Sequence, residues 1–356
     1  MRVLITGSDG YLGALVAPYL SAHGFDVVGL DTGYYRAGWL GSERLTAGLD
    51  GPVRTPATLV RDIRDVEVAD LRGFDAVVHM AELSNDPLGD LIGEVTYDIN
   101  HRGSLHLAHC AKEAGVARFV YMSSCSVYGA ADGTVTEDSP VNPLTAYARC
   151  KVMVERDLTA MADDDFSPVY LRNATAFGAS PRMRFDIVLN NLSGLAWVER
   201  RIAMISDGTP WRPLVHALDI AQAIRCALAA DRDTVHTLAV NVGADENNRT
   251  VGEIAAAVSA EFPSCELTFG PPDADQRSYR VDFSRIRTVF PEFRADWDVA
   301  AGAAQLHRVF AAIGLTAETF YGRGHTRLKQ IEHLLHTGQL DSRLFWTDAS
   351  LVPAGV

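Results

Sequence analysis

Cysteine is scarce and shows no pairing pattern. The 356 residues hold five (Cys110, Cys125, Cys150, Cys226, Cys265), an odd number, scattered and without a CxxC. That excludes a disulfide framework and a zinc ribbon, and it reads as reduced thiols in a cytoplasmic protein. Positive charge is in deficit as well: 32 Lys and Arg stand against 45 Asp and Glu, a formal net charge of −13. A nucleic-acid or anionic-membrane partner would need a clustered cationic face, so both are excluded. No apolar run reaches the ~18 residues of a membrane helix. The opening segment, Met1 to Gly7, has one basic residue and a short apolar run before glycine, which predicts a first strand and not a signal peptide. Linkers rich in Gly and Ser, internal repeats and a GxSxG nucleophile elbow are all missing. What remains is ordinary globular composition, 47% hydrophobic and 22% charged, in a chain long enough for one large domain or two fused lobes.

The first half alternates β-rich runs with amphipathic stretches. Arg2–Thr6, Asp26–Leu30, Ala57–Arg61, Asp75–His79, Arg118–Met122 and Pro168–Arg172 are short apolar runs typical of parallel strands buried on both faces. Tyr11–His23, Gly93–Ala114 and Ala146–Met161 carry apolar residues at helical spacing. The alternation predicts βαβ units and an α/β, doubly wound parallel sheet. Past Arg172 the rhythm loosens, with a helical pattern over Phe185–Arg200, a helix starting near Asp219, and short strands at Leu238–Val242, Leu267–Phe269 and Tyr279–Val281. We expect a nucleotide-binding domain over 1–172, to which part of 212–240 returns, and a smaller interleaved lobe over 173–315. The segment 316–356 is a C-terminal extension with one amphipathic helix, Thr326–His336, and no assigned role.

After the first strand comes Thr6-Gly7-Ser8-Asp9-Gly10-Tyr11-Leu12-Gly13. The spacing GxxGxxG lets the strand turn tightly at Gly7, a pyrophosphate approach the backbone near Gly10, and the helix pack closely at Gly13. The helix N-terminus then offers free N–H groups and its positive dipole end. Asp31 closes the next strand, where a carboxylate accepts the adenosine ribose hydroxyls and repels a 2′-phosphate, predicting NAD over NADP. Arg36 is the nearest basic residue after it. Asp62 and Ile63, after the third strand, sit where a carboxylate meets an adenine amino group or caps a helix.

Farther on, Ser123-Ser124-Cys125-Ser126-Val127-Tyr128-Gly129 follows a strand, and Tyr147-Ala148-Arg149-Cys150-Lys151 lies on a predicted helix. Residues i and i+4 share a helix face, so Lys151 can stand beside Tyr147. A free phenol ionises near pH ~10, and a neighbouring ammonium pulls that value down. Tyr147 is therefore the candidate base for a substrate hydroxyl, Ser124 the group that aligns the substrate oxygen, and Lys151 also a partner for the nicotinamide ribose. His106 and His109 share a helix face beside Cys110, but no carboxylate completes a metal set, so no metal is expected. His325, His333 and His336, among Arg and Lys, read as a solvated helix face.

At this point the sequence resembles the extended short-chain dehydrogenase/reductases, specifically the nucleotide-sugar epimerase/dehydratase group. The resemblance rests on Thr6–Gly13, Asp31, His79–Ala81, Tyr97–Asn100, Ser123–Gly129, Tyr147–Lys151, Leu171–Gly178, Arg212–Asp219 and Arg277–Asp282, in family order over roughly residues 1–300. It implies a Rossmann-type sheet and NAD as cofactor, with Gly7, Gly10, Tyr11, Leu12, Gly13, Asp31, Asp62, Ile63, Met80, Ala81, Asn100, Ser123, Tyr147 and Lys151 around it. A nucleotide-diphosphate sugar is the implied substrate, at Ser84, Ser124, Thr175, Asn191, Arg212 and Arg277, the two arginines gripping its diphosphate. A homodimer through the faces of Gly93–Ala114 and Ala146–Met161 is also implied. Four positions depart from the family pattern. Cys125 and Ser126 replace the acidic residues of dehydratases and decarboxylases, which resembles 4-epimerases and some reductases. Thr175 stands where relatives carry Asn. Glu82 replaces a small residue, and is expected either to meet a sugar hydroxyl or to face solvent. The expected activity is C4 epimerisation through a 4-keto sugar. The alternatives are an NDP-sugar reductase or dehydratase/decarboxylase, and a dinucleotide-sensing protein without turnover.

Overall fold

Strands that read as unbroken apolar runs need cover on both faces, and the computed structural model shows how they obtain it. It describes residues 1–41, 56–84, 92–131, 133–272 and 278–352. Seven strands form the central sheet: β1 (Arg2–Thr6), β2 (Asp26–Asp31), β3 (Thr58–Val60), β4 (Ala76–His79), β5 (Arg118–Ser124), β6 (Ser167–Asn173) and β7 (Ala239–Val242). All pair in parallel, in the order β7-β6-β5-β4-β1-β2-β3. The chain winds outward from β1 in one direction and then crosses to β4, so the strand order reverses between β1 and β4. Their carboxyl ends open a crevice, the place where open α/β sheets bind ligands.

Alternate residues of each strand serve opposite cores. Val3, Ile5, Val78, Val120 and Leu171 pack against the helices Gly13–Ala22 and Ala217–Ala229. Leu4, Val77, Phe119, Tyr121 and Tyr170 pack against Ser104–Glu113 and Ala146–Met161. A third core, around Phe177, Leu189, Val258, Phe310 and Phe320, holds together the smaller elements that follow β6. There the strand Thr175–Phe177 runs parallel to Trp211–His216, which also pairs antiparallel with Asn248–Thr250. His216 stacks on Trp297 at 4.2 Å and meets Gln305 Oε1 at 2.8 Å.

The helix Ala146–Met161 has the predicted ends, because Thr145 caps it by accepting the Ala148 N–H at 3.2 Å. By contrast Gly93–Ala114 is not one regular helix. A π-turn over Asp98–Gly103 divides it, and Asn100 lies fully buried in that turn. After Thr316 come the short helix Ala317–Tyr321 and the helix Arg327–His336. Ile331, Leu334, Leu340 and Leu344 join the core beneath β4 and β5, so much of the extension is packed structure. His325 corrects the solvated-face reading: it is 5% exposed and lies edge-on to Phe185, while His336 is exposed. Burial drives the His325 imidazole down to about 4, so it is neutral. Among the described residues no helix is long and apolar enough to cross a membrane.

Candidate active site

The crevice has a volume of about 930 Å³ and runs from the glycine loop to the helix Ala146–Met161. Gly7 adopts φ +74°, and a side chain there would press on the Met80–Ala81 peptide at 3.0 Å. At Gly13 a Cβ would fall 2.1 Å from the Gly7 carbonyl oxygen, so the loop closes only around glycine. Gly10, Tyr11, Leu12 and Gly13 line the crevice at the start of the first helix. Tyr11 contributes backbone there, since its hydroxyl is spent on the Gly178 carbonyl at 2.8 Å.

A string of neutral hydrogen bonds holds the floor. Thr6 Oγ1 accepts the Met80 and Ala81 N–H groups at 3.1 and 3.2 Å, so its proton goes to His79 Nδ1, 2.7 Å away. His79 Nε2 then donates to Ser104 Oγ at 2.7 Å, and Ser104 donates to the Asn100 carbonyl at 2.7 Å. Burial drives the His79 imidazole down to about 3, with the Lys151 charge adding to the effect. Asn100 takes the Leu83 N–H on its Oδ1 at 2.8 Å and donates to the Leu83 carbonyl at 2.9 Å. It therefore fixes the segment after β4 from behind and does not line the crevice.

At the end of β2, Asp31 accepts Gly33 N–H at 2.7 Å and Asp9 N–H at 3.0 Å, one on each oxygen, so each keeps further accepting capacity. Burial and the Asp9 charge push its carboxyl up to about 6. Arg36 folds back onto Asp9 at 2.5 Å. Asp62 and Ile63 line the wall beyond, with Asp62 held bidentately by Arg64 at 2.9 and 2.7 Å. The glycine cradle, the helix start and the Asp31 carboxylate fit a dinucleotide such as NAD.

Ser124, Tyr147 and Lys151 all line the same crevice. Lys151 Nζ stands 5.1 Å from the centre of the Tyr147 ring and donates to the Met122 carbonyl. Glu82 departs from both sequence expectations. Its carboxylate is buried against Lys151 Nζ at 2.5 Å and accepts the Tyr121 hydroxyl at 2.7 Å. Burial alone would depress the Lys151 ammonium, but the Glu82 carboxylate and Tyr147 raise it above its usual value. Ser124 Oγ accepts the Ser126 N–H at 3.1 Å, capping the turn Cys125–Tyr128. Ser123 lines the crevice while its hydroxyl donates to Glu155 at 2.5 Å, and Glu155 is clamped by Arg172 at 3.0 and 2.6 Å. Cys125 is buried, its thiol pushed up by desolvation and donating to the Arg172 carbonyl at 3.1 Å.

Ser84, Thr175 and Arg212 also line the crevice. Ser84 accepts Arg184 Nη1 at 2.9 Å, and Arg184 also pairs with Asp186 at 2.9 Å. Asn191 lies off the crevice, its amide donating to the Phe185 carbonyl at 2.8 Å, and Arg277 lies outside the described residues. Sequence reasoning missed Arg184, Asn173 and Arg327, all on the crevice wall. Asn173 Oδ1 is buried without a partner. Asn173 lies within the Leu171–Gly178 motif without having been singled out, and Arg184 and Arg327 stand in no chemical pattern along the chain. Only the tertiary fold brings the two arginines in.

Sheet, glycine loop and the Ser–Tyr–Lys wall together define an extended short-chain dehydrogenase/reductase. The model of the NAD dependent epimerase/dehydratase family matches residues 3–243, and the chain belongs to that family. It is similar to the UDP-glucose 4-epimerase of Neisseria gonorrhoeae, 30% identical over 271 residues, which cover 68% of this chain and 78% of that protein. The UDP-glucose 4-epimerase of Bacillus subtilis is 28% identical over 264 residues, 68% of this chain and 77% of that one. Among solved structures, MoeE5 in complex with UDP-glucose and NAD aligns with a TM-score of 0.73 at 25% identity, over 88% of this chain and 99% of that one.

Proposed function

We propose that this chain is an NAD-dependent epimerase of nucleotide-diphosphate sugars, inverting C4 through a transient 4-keto sugar. The observation that carries the reading is the convergence of Tyr147, Lys151 and Ser124 on the crevice that the glycine loop opens. Tyr147 takes the proton of the C4 hydroxyl and later returns it. The Lys151 ammonium stabilises the phenolate, and Ser124 Oγ holds the substrate oxygen in line. NAD, when bound, supplies a hydride acceptor and donor beside that carbon. Thr175 and Arg212 hold the sugar nucleotide at the smaller lobe, where the ketone turns between the two hydride transfers. A homodimer through Gly93–Ala114 and Ala146–Met161 is part of the same reading.

Epimerisation is favoured over dehydration or decarboxylation by the residues after Ser124. The Cys125 thiol is buried and raised, so it offers no acid or base near neutrality, and Ser126 is no better. The buried carboxylates around that wall are already engaged, Glu82 by Lys151 and Tyr121 and Glu155 by Ser123 and Arg172. The test is to incubate the protein with a panel of nucleotide sugars, UDP-hexoses first, in deuterated water and follow the products by NMR. Epimerisation leaves the ring carbons unlabelled, dehydration places deuterium on carbon, and decarboxylation shortens the sugar. No conversion of any sugar, with NAD or NADH added, would favour the sensor instead.

A further inference from the structure

The crevice carries one cation that neither the sequence pattern nor the family match accounts for. Arg327 opens the helix Arg327–His336, far beyond residues 3–243, yet it lies on the crevice wall. It is 6% exposed, and its guanidinium sits 4.0 Å from the centre of the Tyr35 ring. Among the described residues it makes no hydrogen bond and no ion pair. Three carboxylates of the wall are matched by other cations, Asp62 by Arg64, Glu82 by Lys151 and Asp186 by Arg184, while Asp31 accepts two backbone N–H groups and makes no ion pair with Arg327. Arg327 is left with five N–H donors and no hydrogen-bonded acceptor among the described residues; the Arg184 charge opposes its own, and Tyr35, Asp186 and Asp31 offset only part of the cost of its burial. Buried guanidinium groups ordinarily have acceptors, so an anion from outside the chain is the group this site lacks.

Its neighbourhood says which anion. The segment holding Arg327 is fastened to the loop after Asp31 at several points. Gln330 donates to the Tyr34 carbonyl at 2.9 Å, Trp346 donates to the Thr32 carbonyl at 2.9 Å, and Tyr34 donates to the Leu344 carbonyl. Farther along, Arg64 donates to the Arg343 carbonyl at 2.8 Å and lies 3.8 Å over the Phe345 ring. The extension thus borders the adenosine side of the crevice, between the Asp31 carboxylate and Arg184. A planar fork in that place suits a diphosphate.

We propose that the C-terminal extension completes the cofactor site, with Arg327, seconded by Arg184, grasping the diphosphate of the dinucleotide. The proposal rests on the NAD reading and adds a ligand supplied from outside the glycine loop.

The test uses the full chain freed of nucleotide and titrated calorimetrically with NAD, ADP and adenosine. R327Q is expected to weaken NAD and ADP alike by about 10- to 100-fold, the range of a lost charge-assisted pair, and to leave adenosine unchanged. R327K, which keeps the charge and loses the fork, is expected to fall between, and it carries the test if R327Q does not fold. ADP binding equal to wild type in the variants overturns the proposal, as does an equal loss for adenosine, which would mark a purely structural role. If the wild-type chain binds neither NAD nor ADP, the NAD reading itself fails; if it binds both and R327Q does too, only this proposal does.

Discussion

Replacing Glu82 by Gln keeps the shape of the side chain and removes its charge from beside Lys151 and the proposed base Tyr147. Lys151 Nζ lies 2.5 Å from the Glu82 carboxylate and 5.1 Å from the Tyr147 ring centre. The carboxylate is therefore no farther from that ring than the two lengths combined, about 8 Å. At an effective dielectric near ~20, one charge at that distance is worth about 2 kcal/mol, or about 1.5 pH units on the phenol. In the native protein Glu82 offsets part of the stabilisation that Lys151 gives to a Tyr147 phenolate. Without it the ammonium acts alone, and the phenolate persists to lower pH. The expected result is an acidic limb of kcat/KM displaced downward by about 1 to 1.5 pH units in E82Q, measured on whichever sugar nucleotide the wild type converts. An unmoved limb would show that the carboxylate does not reach the phenol electrostatically. A limb moved upward would show that Lys151 loses its proton once its partner is gone. Either result would refute the reasoning.

Y147F removes the proposed base and should cut turnover by about 10²- to 10⁴-fold while the protein still binds NAD in a calorimeter; undiminished turnover would assign the proton to another group. D31A should erode the preference for NAD over NADP, read from the two binding constants, and an unchanged ratio would place cofactor choice elsewhere. G13A forces a methyl to within 2.1 Å of the Gly7 carbonyl oxygen. It should lower stability by about 2 kcal/mol or more and weaken NAD binding, checked by thermal melts and titration. Asp219 is buried, and desolvation raises its carboxyl to about 7. Its proton therefore favours the folded state below about pH 4, and that contribution is lost as pH rises through 7. D219N should consequently gain about 1 to 2 kcal/mol at pH 8 and nothing at pH 4, compared by melting at both values.

Much of the sheet was legible because strands buried on both faces must be apolar throughout, and Arg2–Thr6 and Asp26–Asp31 have no other way to be read. Tyr147 and Lys151 were legible because helical spacing alone puts them together. Glu82 was not. A carboxylate between Ala81 and Leu83 reveals nothing of the lysine that awaits it from a helix about seventy residues later. The π-turn at Asp98–Gly103 was hidden for a related reason. Asn100 is drawn out of register by its two bonds to Leu83, and no local preference records that pull. Arg327 lay past the end of every recognisable motif, so the last wall of the crevice depended on tertiary packing alone.

The three buried imidazoles, His79, His216 and His325, have a consequence for the molecule in acid. Each is held neutral, at about 3, 4 and 4, and picks up its proton only when the chain opens. Asp31 and Asp219 act in the opposite sense, keeping protons in the folded chain up to about 6 and 7 that the open chain would have released. Between pH 4 and 6 the open chain gains from these five groups about three protons and forgoes about two. Mild acidification therefore meets a net uptake of about one proton, roughly a third of the descent that the histidines by themselves would have made.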